Sequence, residues 1–366
     1  MLFPYTYVPH KMETMQAFID FIFYEVWCKA PEVEYGIHLF EPSDSPLYKI
    51  MSELNKRDLA DTLKEGAGKW FYESVNEIFI EFSQLTDEEI EAYRQQFKFN
   101  NLIEELCINQ DDMSPAHYSD LDPAKTDLNE KLSDFFKKLY SSGFFGLSFV
   151  VEAVGSDLGA YYVDFVRKNN TGCCPFCGLL PIDNEFDPTR EAFDHYLPKS
   201  KYPFNSVNLK NLAPSCNKCN SGNKRDRDPL HSSTGERRKA FYPFSTGLIE
   251  NLVAVDIHSE DWTTPKSEDL TITLSSATHP EEVETWEELF RIKQRYSAKC
   301  CDAGGGLYWK KRVLEESENY DLSPQAMLTA EVKSARTSLW AESNFLKVAF
   351  LEGCQRAGLF ERMRDE

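Results

Sequence analysis

Two cysteine pairs stand apart from the other thiols of this chain by their spacing. Cys174-Pro-Phe-Cys177, followed by Gly178, is one C-x-x-C turn, and Cys216-Asn-Lys-Cys219 is the other, with 38 residues between them. Such a turn sets two thiolates on one side of an ion, and zinc takes four tetrahedral ligands at Zn–S distances of about 2.3 Å. Gly178 permits the tight backbone turn that follows the first pair. Four sulfurs leave no open coordination position. The spacing therefore predicts a structural Zn²⁺ held by Cys174, Cys177, Cys216 and Cys219, which pins two distant segments and adds folding free energy directly. Cys173 points elsewhere on this reading. Cys28, Cys107 and Cys354 sit in apolar helical patterns and read as buried structural thiols. The N-terminus has no basic stretch, apolar run and small-residue cleavage site, so an exported, disulfide-bridged chain is not expected.

Between the pairs runs Phe193-Asp194-His195-Tyr196-Leu197-Pro198-Lys199-Ser200-Lys201-Tyr202-Pro203-Phe204, and then Asn211-Leu212-Ala213-Pro214-Ser215-Cys216. Phosphodiester hydrolysis needs a base for water, a cation for the charge that develops on phosphate and leaving oxygen, and a fixed geometry. His195 suits the base, because imidazole titrates near neutrality. The surrounding charge points the same way. Residues 190–240 carry 11 basic and 5 acidic side chains, whereas the chain as a whole is at −20 and residues 1–150 alone are at −14. Lys199, Lys201, Lys210, Lys218, Lys224, Arg225 and Arg227 form one basic island on an acidic chain, as a phosphate-facing patch would. Arg237-Arg238-Lys239 either extends that patch or is a solvated end. Tyr202 and Phe204 are candidates for stacking on bases, with loop packing the alternative for Phe204.

Asp194-His195, Asn211 before a cysteine, and Cys219-Asn220 followed by Lys224 together resemble the HNH motif of the ββα-metal nucleases, over about residues 174–230. The resemblance implies two short strands and a helix braced by the paired knuckles. It implies His195 as general base and Asn211 as the residue that holds the inter-strand loop and orients it. Asp194 and Asn220 become the ligands of a catalytic Mg²⁺ or another divalent cation, a choice that suits hard oxygen donors. Lys199, Lys201, Lys218, Lys224 and Arg225 become the nucleic-acid contacts. The wording of this segment is also similar to the HNH effector subunits of Septu-type and retron-associated anti-phage defence systems. That likeness implies a bacterial, cytoplasmic nuclease working with an ABC-like or SMC-like ATPase, in some versions beside a retron reverse transcriptase and its nucleic acid. DNA is the expected substrate, with structured RNA such as tRNA an alternative. Two other readings are a stand-alone restriction or homing-type nuclease, and a zinc-stabilised adaptor that does not cut.

The flanks must position this centre. Apolar residues at helical spacing run from Met12 to Lys29, through 46–82 with a break near Gly66 and Gly68, and through 128–142 and 146–168. Thr86-Asp-Glu-Glu89 reads as a capped helix start, and 110–128 as a polar loop. Leu270–Leu274 has strand character, while 281–318 and 324–361 return to helical periodicity with an interruption at 303–306. The expected architecture is mainly α with a small central ββα-metal module. A helical region spans 1–170 and suits partner docking, the zinc-bearing core spans 171–240, and a mostly helical region spans 241–366. Gly66-Ala-Gly-Lys69-Trp70 lacks both the first glycine and the Ser or Thr of a phosphate loop, so ATP hydrolysis is not expected. No apolar run reaches the ~18 residues of a membrane span.

Overall fold

The computed structural model describes residues 1–110, 113–246, 252–259 and 261–361, with Leu252 described in its backbone only. The apolar spacing of residues 12–29 folds as one continuous coil of changing pitch: a 3₁₀ turn Lys11–Glu13, α1 (Thr14–Phe21), a π-helical turn Ile22–Val26 and a second 3₁₀ turn Trp27–Lys29. It turns Phe18, Ile19, Ile22, Phe23, Val26 and Trp27 inward, all buried. Around it pack α2 (Pro46–Leu59), α3 (Ala67–Phe82), α4 (Asp87–Asn101), α5 (Ile103–Cys107) and α6 (Thr126–Leu139). α2 starts where Ser45 caps the Tyr48 N–H and Pro46 occupies the first turn. α4 starts at the expected capping box, with Thr86 and Glu89 each accepting from the other's backbone N–H. Phe23 stacks on Phe97 with ring centres 4.0 Å apart, and Phe71 on Phe144 at 3.8 Å. The helical pattern over 146–168 is two helices, α7 (Ser148–Val154) and α8 (Leu158–Lys168). Gly155 enters the left-handed region between them and Asp157 caps the second.

The centre holds two three-residue strands, β1 (Phe193–His195) and β2 (Leu212–Pro214), paired antiparallel so that Asp194 faces Ala213 and His195 faces Leu212. A π-helical segment, Lys218–Lys224, follows. A second hairpin pairs β3 (Leu252–Ile257) with β4 (Leu270–Ser275). β4 lies on the expected run. β3 lies outside the expected strand, although Leu-Val-Ala-Val-Asp-Ile has the β-branched content of one.

The C-terminal helices are α9 (Pro280–Phe290), α10 (Ile292–Cys301), α11 (Gly306–Asn319), α12 (Pro324–Arg336) and α13 (Asn344–Arg356). The expected helix over 281–302 is broken at Arg291, whose φ of 53° lies in the left-handed region. α13 packs on β3 closely enough that a Cβ on Gly353 would stand 2.2 Å from the Val255 carbonyl oxygen. Apolar residues from Met1 to Phe360 join one core that runs through the centre. The N-terminal strap reaches it directly: the Leu2 N–H donates to the Pro175 carbonyl at 3.0 Å and the Tyr5 hydroxyl to the Pro214 carbonyl at 2.9 Å. Among the described residues, no helix is long and apolar enough to cross a membrane.

Candidate functional site

The four knuckle cysteines converge. The Sγ atoms of Cys174, Cys177, Cys216 and Cys219 all lie within 4.8 Å of one another, and all four residues are buried. Cys177 Sγ and Cys216 Sγ are 3.9 Å apart. Each pair is built by the same local turn. The Cys177 and Gly178 N–H groups donate to the Cys174 carbonyl, and the Cys219 and Asn220 N–H groups donate to that of Cys216. Gly178 takes φ +66°. This arrangement could bind a metal such as zinc, and four thiolates around Zn²⁺ would carry net negative charge. Arg295 of α10 meets that charge, its Nη1 donating to Cys219 Sγ at 3.2 Å. The sequence offered no signal for Arg295, because α10 reaches the knuckle only through packing. Cys173 is buried and stands outside the four-sulfur group.

Beside the cysteines, β1 and the π-helical segment bring Asp194, His195 and Lys224 together. Asp194 points inward, 3% exposed, and accepts from Lys224 Nζ at 3.0 Å through Oδ1. Its Oδ2 is buried with no hydrogen-bond partner among the described residues. Burial raises the Asp194 carboxyl above its ordinary range, and Lys224 opposes that rise. Lys224 Nζ also donates to the His195 carbonyl at 2.8 Å. His195 alternates to the other face of β1, where its ring meets Tyr140 edge to face at 4.7 Å. Its Nε2 lies 2.9 Å from the Ser206 carbonyl oxygen. A carbonyl can only accept, so Nε2 carries the proton and Nδ1 presents a lone pair. Burial and the ammonium groups of Lys199 and Lys224 lower His195 to about 3 against the opposing bond to Ser206. The imidazole is therefore neutral at neutral pH.

Asn211 is the clamp of the loop between the strands. Its Oδ1 accepts from the Leu197 N–H at 2.7 Å, and its Nδ2 donates to the Leu197 carbonyl at 3.0 Å and to Asn205 Oδ1 at 3.2 Å. These bonds close the segment that carries both His195 and its acceptor Ser206. Asn220 follows Cys219 in the π-helical segment, and its side-chain amide has no hydrogen-bond partner among the described residues.

The basic residues divide. Lys210, Lys218 and Arg225 are exposed, and Lys201 is partly exposed. Lys199 lies along Tyr140 and donates to the Lys137 carbonyl at 2.7 Å. Lys224 is fully buried and spends its charge on Asp194, so in this arrangement it offers no ammonium to an incoming phosphate. Arg237 donates to the Leu230 and Leu106 carbonyls, and Arg238 to the Asp228 carbonyl and to Glu288. Both therefore tie elements together rather than extend the patch. Tyr202 and Phe204 are fully buried and have no face free for a base.

Searches with this chain return no significant match to a protein-family model, a curated protein or a solved structure.

Proposed function

We propose that this chain is a metal-dependent endonuclease of the HNH type that hydrolyses phosphodiester bonds of nucleic acid, DNA in the first place. The observation that carries the reading is the state of His195. Its Nε2–H is held by the Ser206 carbonyl, which leaves the Nδ1 lone pair without a partner among the described residues. In the step this supports, Nδ1 takes a proton from water as the water oxygen bonds to phosphorus. The bond from phosphorus to the leaving oxygen then breaks, and that oxygen takes up a proton. Asn211 supports the step from a distance, fixing the loop that presents Ser206.

The oxygen donors of two residues suit a divalent cation in type. Among the described residues, Asp194 has a buried carboxylate oxygen with no partner, and Asn220 has an uncommitted amide. Asp194 and Asn220 would hold Mg²⁺ or a similar ion, which supplies electrostatic stabilisation of charge on the phosphate. Zn²⁺ at the four cysteines is then structural. Lys199, which acts electrostatically on His195, and Lys201, Lys218 and Arg225 of the basic island would supply the positive potential.

One observation favours a second reading, a zinc-stabilised adaptor that does not cut. Lys224 already neutralises Asp194. The two readings part on a single measurement. The purified chain with Mg²⁺ is incubated with duplex DNA, single-stranded DNA and tRNA, beside His195→Ala. Metal-dependent cleavage that falls ~10²–10⁴-fold in the variant is the nuclease result. Cleavage unchanged in His195→Ala removes His195 from the mechanism.

The wider setting rests on charge and resemblance. Outside 190–240 the chain sums to −26, which repels long nucleic acid beyond the basic island. A partner with its own basic surface, such as the ABC-like ATPase of a Septu-type or retron-associated system, would supply that affinity. Recovery of the native-level protein as a free monomer cleaving at full rate would overturn this part.

A further inference from the structure

His117, Asp228 and His231 meet at a point that takes no part in the nuclease reading. His117 lies in the polar segment before α6, 111 residues from Asp228. His117 Nε2 is 2.8 Å from Asp228 Oδ2, and His231 Nδ1 is 3.3 Å from the same oxygen. The three ligand atoms all lie within 4.8 Å of one another. Nitrogen and carboxylate ligands bind zinc at about 2.0–2.2 Å, which places them roughly 3–3.5 Å apart around the ion. Only a small opening of the group is needed to admit one.

The surroundings are those of a ligand shell. Asp228 Oδ1 accepts from the Tyr202 hydroxyl at 2.6 Å, the Leu230 N–H at 2.8 Å and the His231 N–H at 3.3 Å. Those bonds fix the carboxylate and leave Oδ2 facing the two imidazoles. His117 turns its other nitrogen toward Asp120, with Nδ1 3.8 Å from Oδ2. The Tyr202 hydroxyl stands 3.2 Å from His231 Nδ1, close enough to meet a metal-bound water. Asp228 is buried, but the His117 and His231 side chains are 26% and 18% exposed, so an ion has a way in.

We propose that His117, Asp228 and His231 form a second metal site, for a first-row transition ion of the Zn²⁺ class. Two imidazoles and one carboxylate suit such an ion and not Mg²⁺, which prefers oxygen. The ion would bolt the His117 segment to the Asp228–His231 segment, and through the Tyr202 hydroxyl on Asp228 to the loop between β1 and β2. That junction is already marked by the Tyr118 N–H donating to the Lys201 carbonyl at 3.0 Å, one residue from Tyr202. The loop also carries Lys199, Lys201 and Ser206, so the site would stiffen the scaffold around His195 whether or not the chain cuts nucleic acid.

The test uses the full chain, stripped of metal and titrated with Zn²⁺ and, separately, Co²⁺. The wild type, kept in excess Mg²⁺ so that Asp194 and Asn220 are not counted, is expected to take up two ions. The first Co²⁺ gives the intense sulfur-to-metal absorption of a thiolate site, and the second adds only weak ligand-field bands. His117→Gln keeps an amide donor for Asp228, so the hydrogen-bonded group survives while the ligand is lost. His117→Gln and His117→Ala/His231→Ala should each bind one ion with the thiolate spectrum intact. Uptake of a single ion by the wild type at saturating Zn²⁺ overturns the proposal, and so does a second ion bound equally well by the double variant. In both cases the three residues are a hydrogen-bonded cluster only.

Discussion

Lys224 Nζ and Asp194 Oδ1 meet at 3.0 Å in the interior, with side chains 0% and 3% exposed. Lys224 reaches back with the same group to the His195 carbonyl. One ammonium thus ties β1 to the segment that carries Cys219 and Asn220. A buried charge pair of this kind is costly to break from one side, because the remaining charge has neither water nor partner. Lys224→Met is expected to destabilise the chain by about 3–5 kcal/mol in urea unfolding. The double variant Asp194→Asn/Lys224→Met should recover most of that loss. Equal losses in the single and double variants would show that packing of the lysine stem, and not charge, is what matters.

Asn211→Ala should destabilise the centre and weaken cleavage together. It orphans the buried N–H and carbonyl of Leu197, at roughly 1–3 kcal/mol for each group left unsatisfied. Urea unfolding measures the first effect and the Mg²⁺-dependent assay the second. An unfolding midpoint equal to that of the wild type would mean that the loop is not held by this amide.

The zinc cluster and its arginine separate by metal analysis. Cys177→Ser and Cys219→Ser should each lower zinc content and loosen the centre, since the ion closes the fold. Arg295→Leu removes the donor to Cys219 Sγ, together with a 3.4 Å bond to the Phe290 carbonyl, and leaves all four thiols in place. It should leave zinc bound at stoichiometry but release it more readily to a chelator, by about 10–100-fold in affinity. A wild-type chain without zinc after expression in zinc-replete medium would refute the knuckle assignment.

Gly178→Ala tests how tightly the first knuckle is packed. Gly178 has φ +66°, and a Cβ there would stand 2.4 Å from Leu2 Cδ1 and 2.5 Å from Phe345 Cε1. A left-handed alanine costs about 1–2 kcal/mol and overpacking about 1–3 kcal/mol more. The expected result is a lower unfolding midpoint, with the N-terminal strap more open to proteolysis near Leu2. Unchanged protease resistance would show that Leu2 and Phe345 yield freely.

Some of this molecule is written in short stretches of chain. The two C-x-x-C turns, the capping box at Thr86 and the apolar faces of the N-terminal helices each depend on residues within a few positions of one another, so spacing alone determines them. The burial of Cys28, Cys107 and Cys354 follows from the same periodicity. Breaks such as Arg291 and the strand over Leu252–Ile257 were less legible, because helical and strand patterns overlap over so few residues. Packing across the chain decided the rest. Lys224 reads as a phosphate contact by its type, but the approach of β1 buries it against Asp194. Tyr202 reads as a stacking surface, but the fold turns its hydroxyl onto Asp228 and leaves its ring no solvent. Arg295 has no local signature, and the His117–Asp228–His231 group has only the short Asp228-x-x-His231 spacing. Their partners lie 76 and 111 residues away, and only the closed core brings them within reach. A polar side chain's role is set by what desolvates it and what charge it then meets, and both are properties of the folded chain.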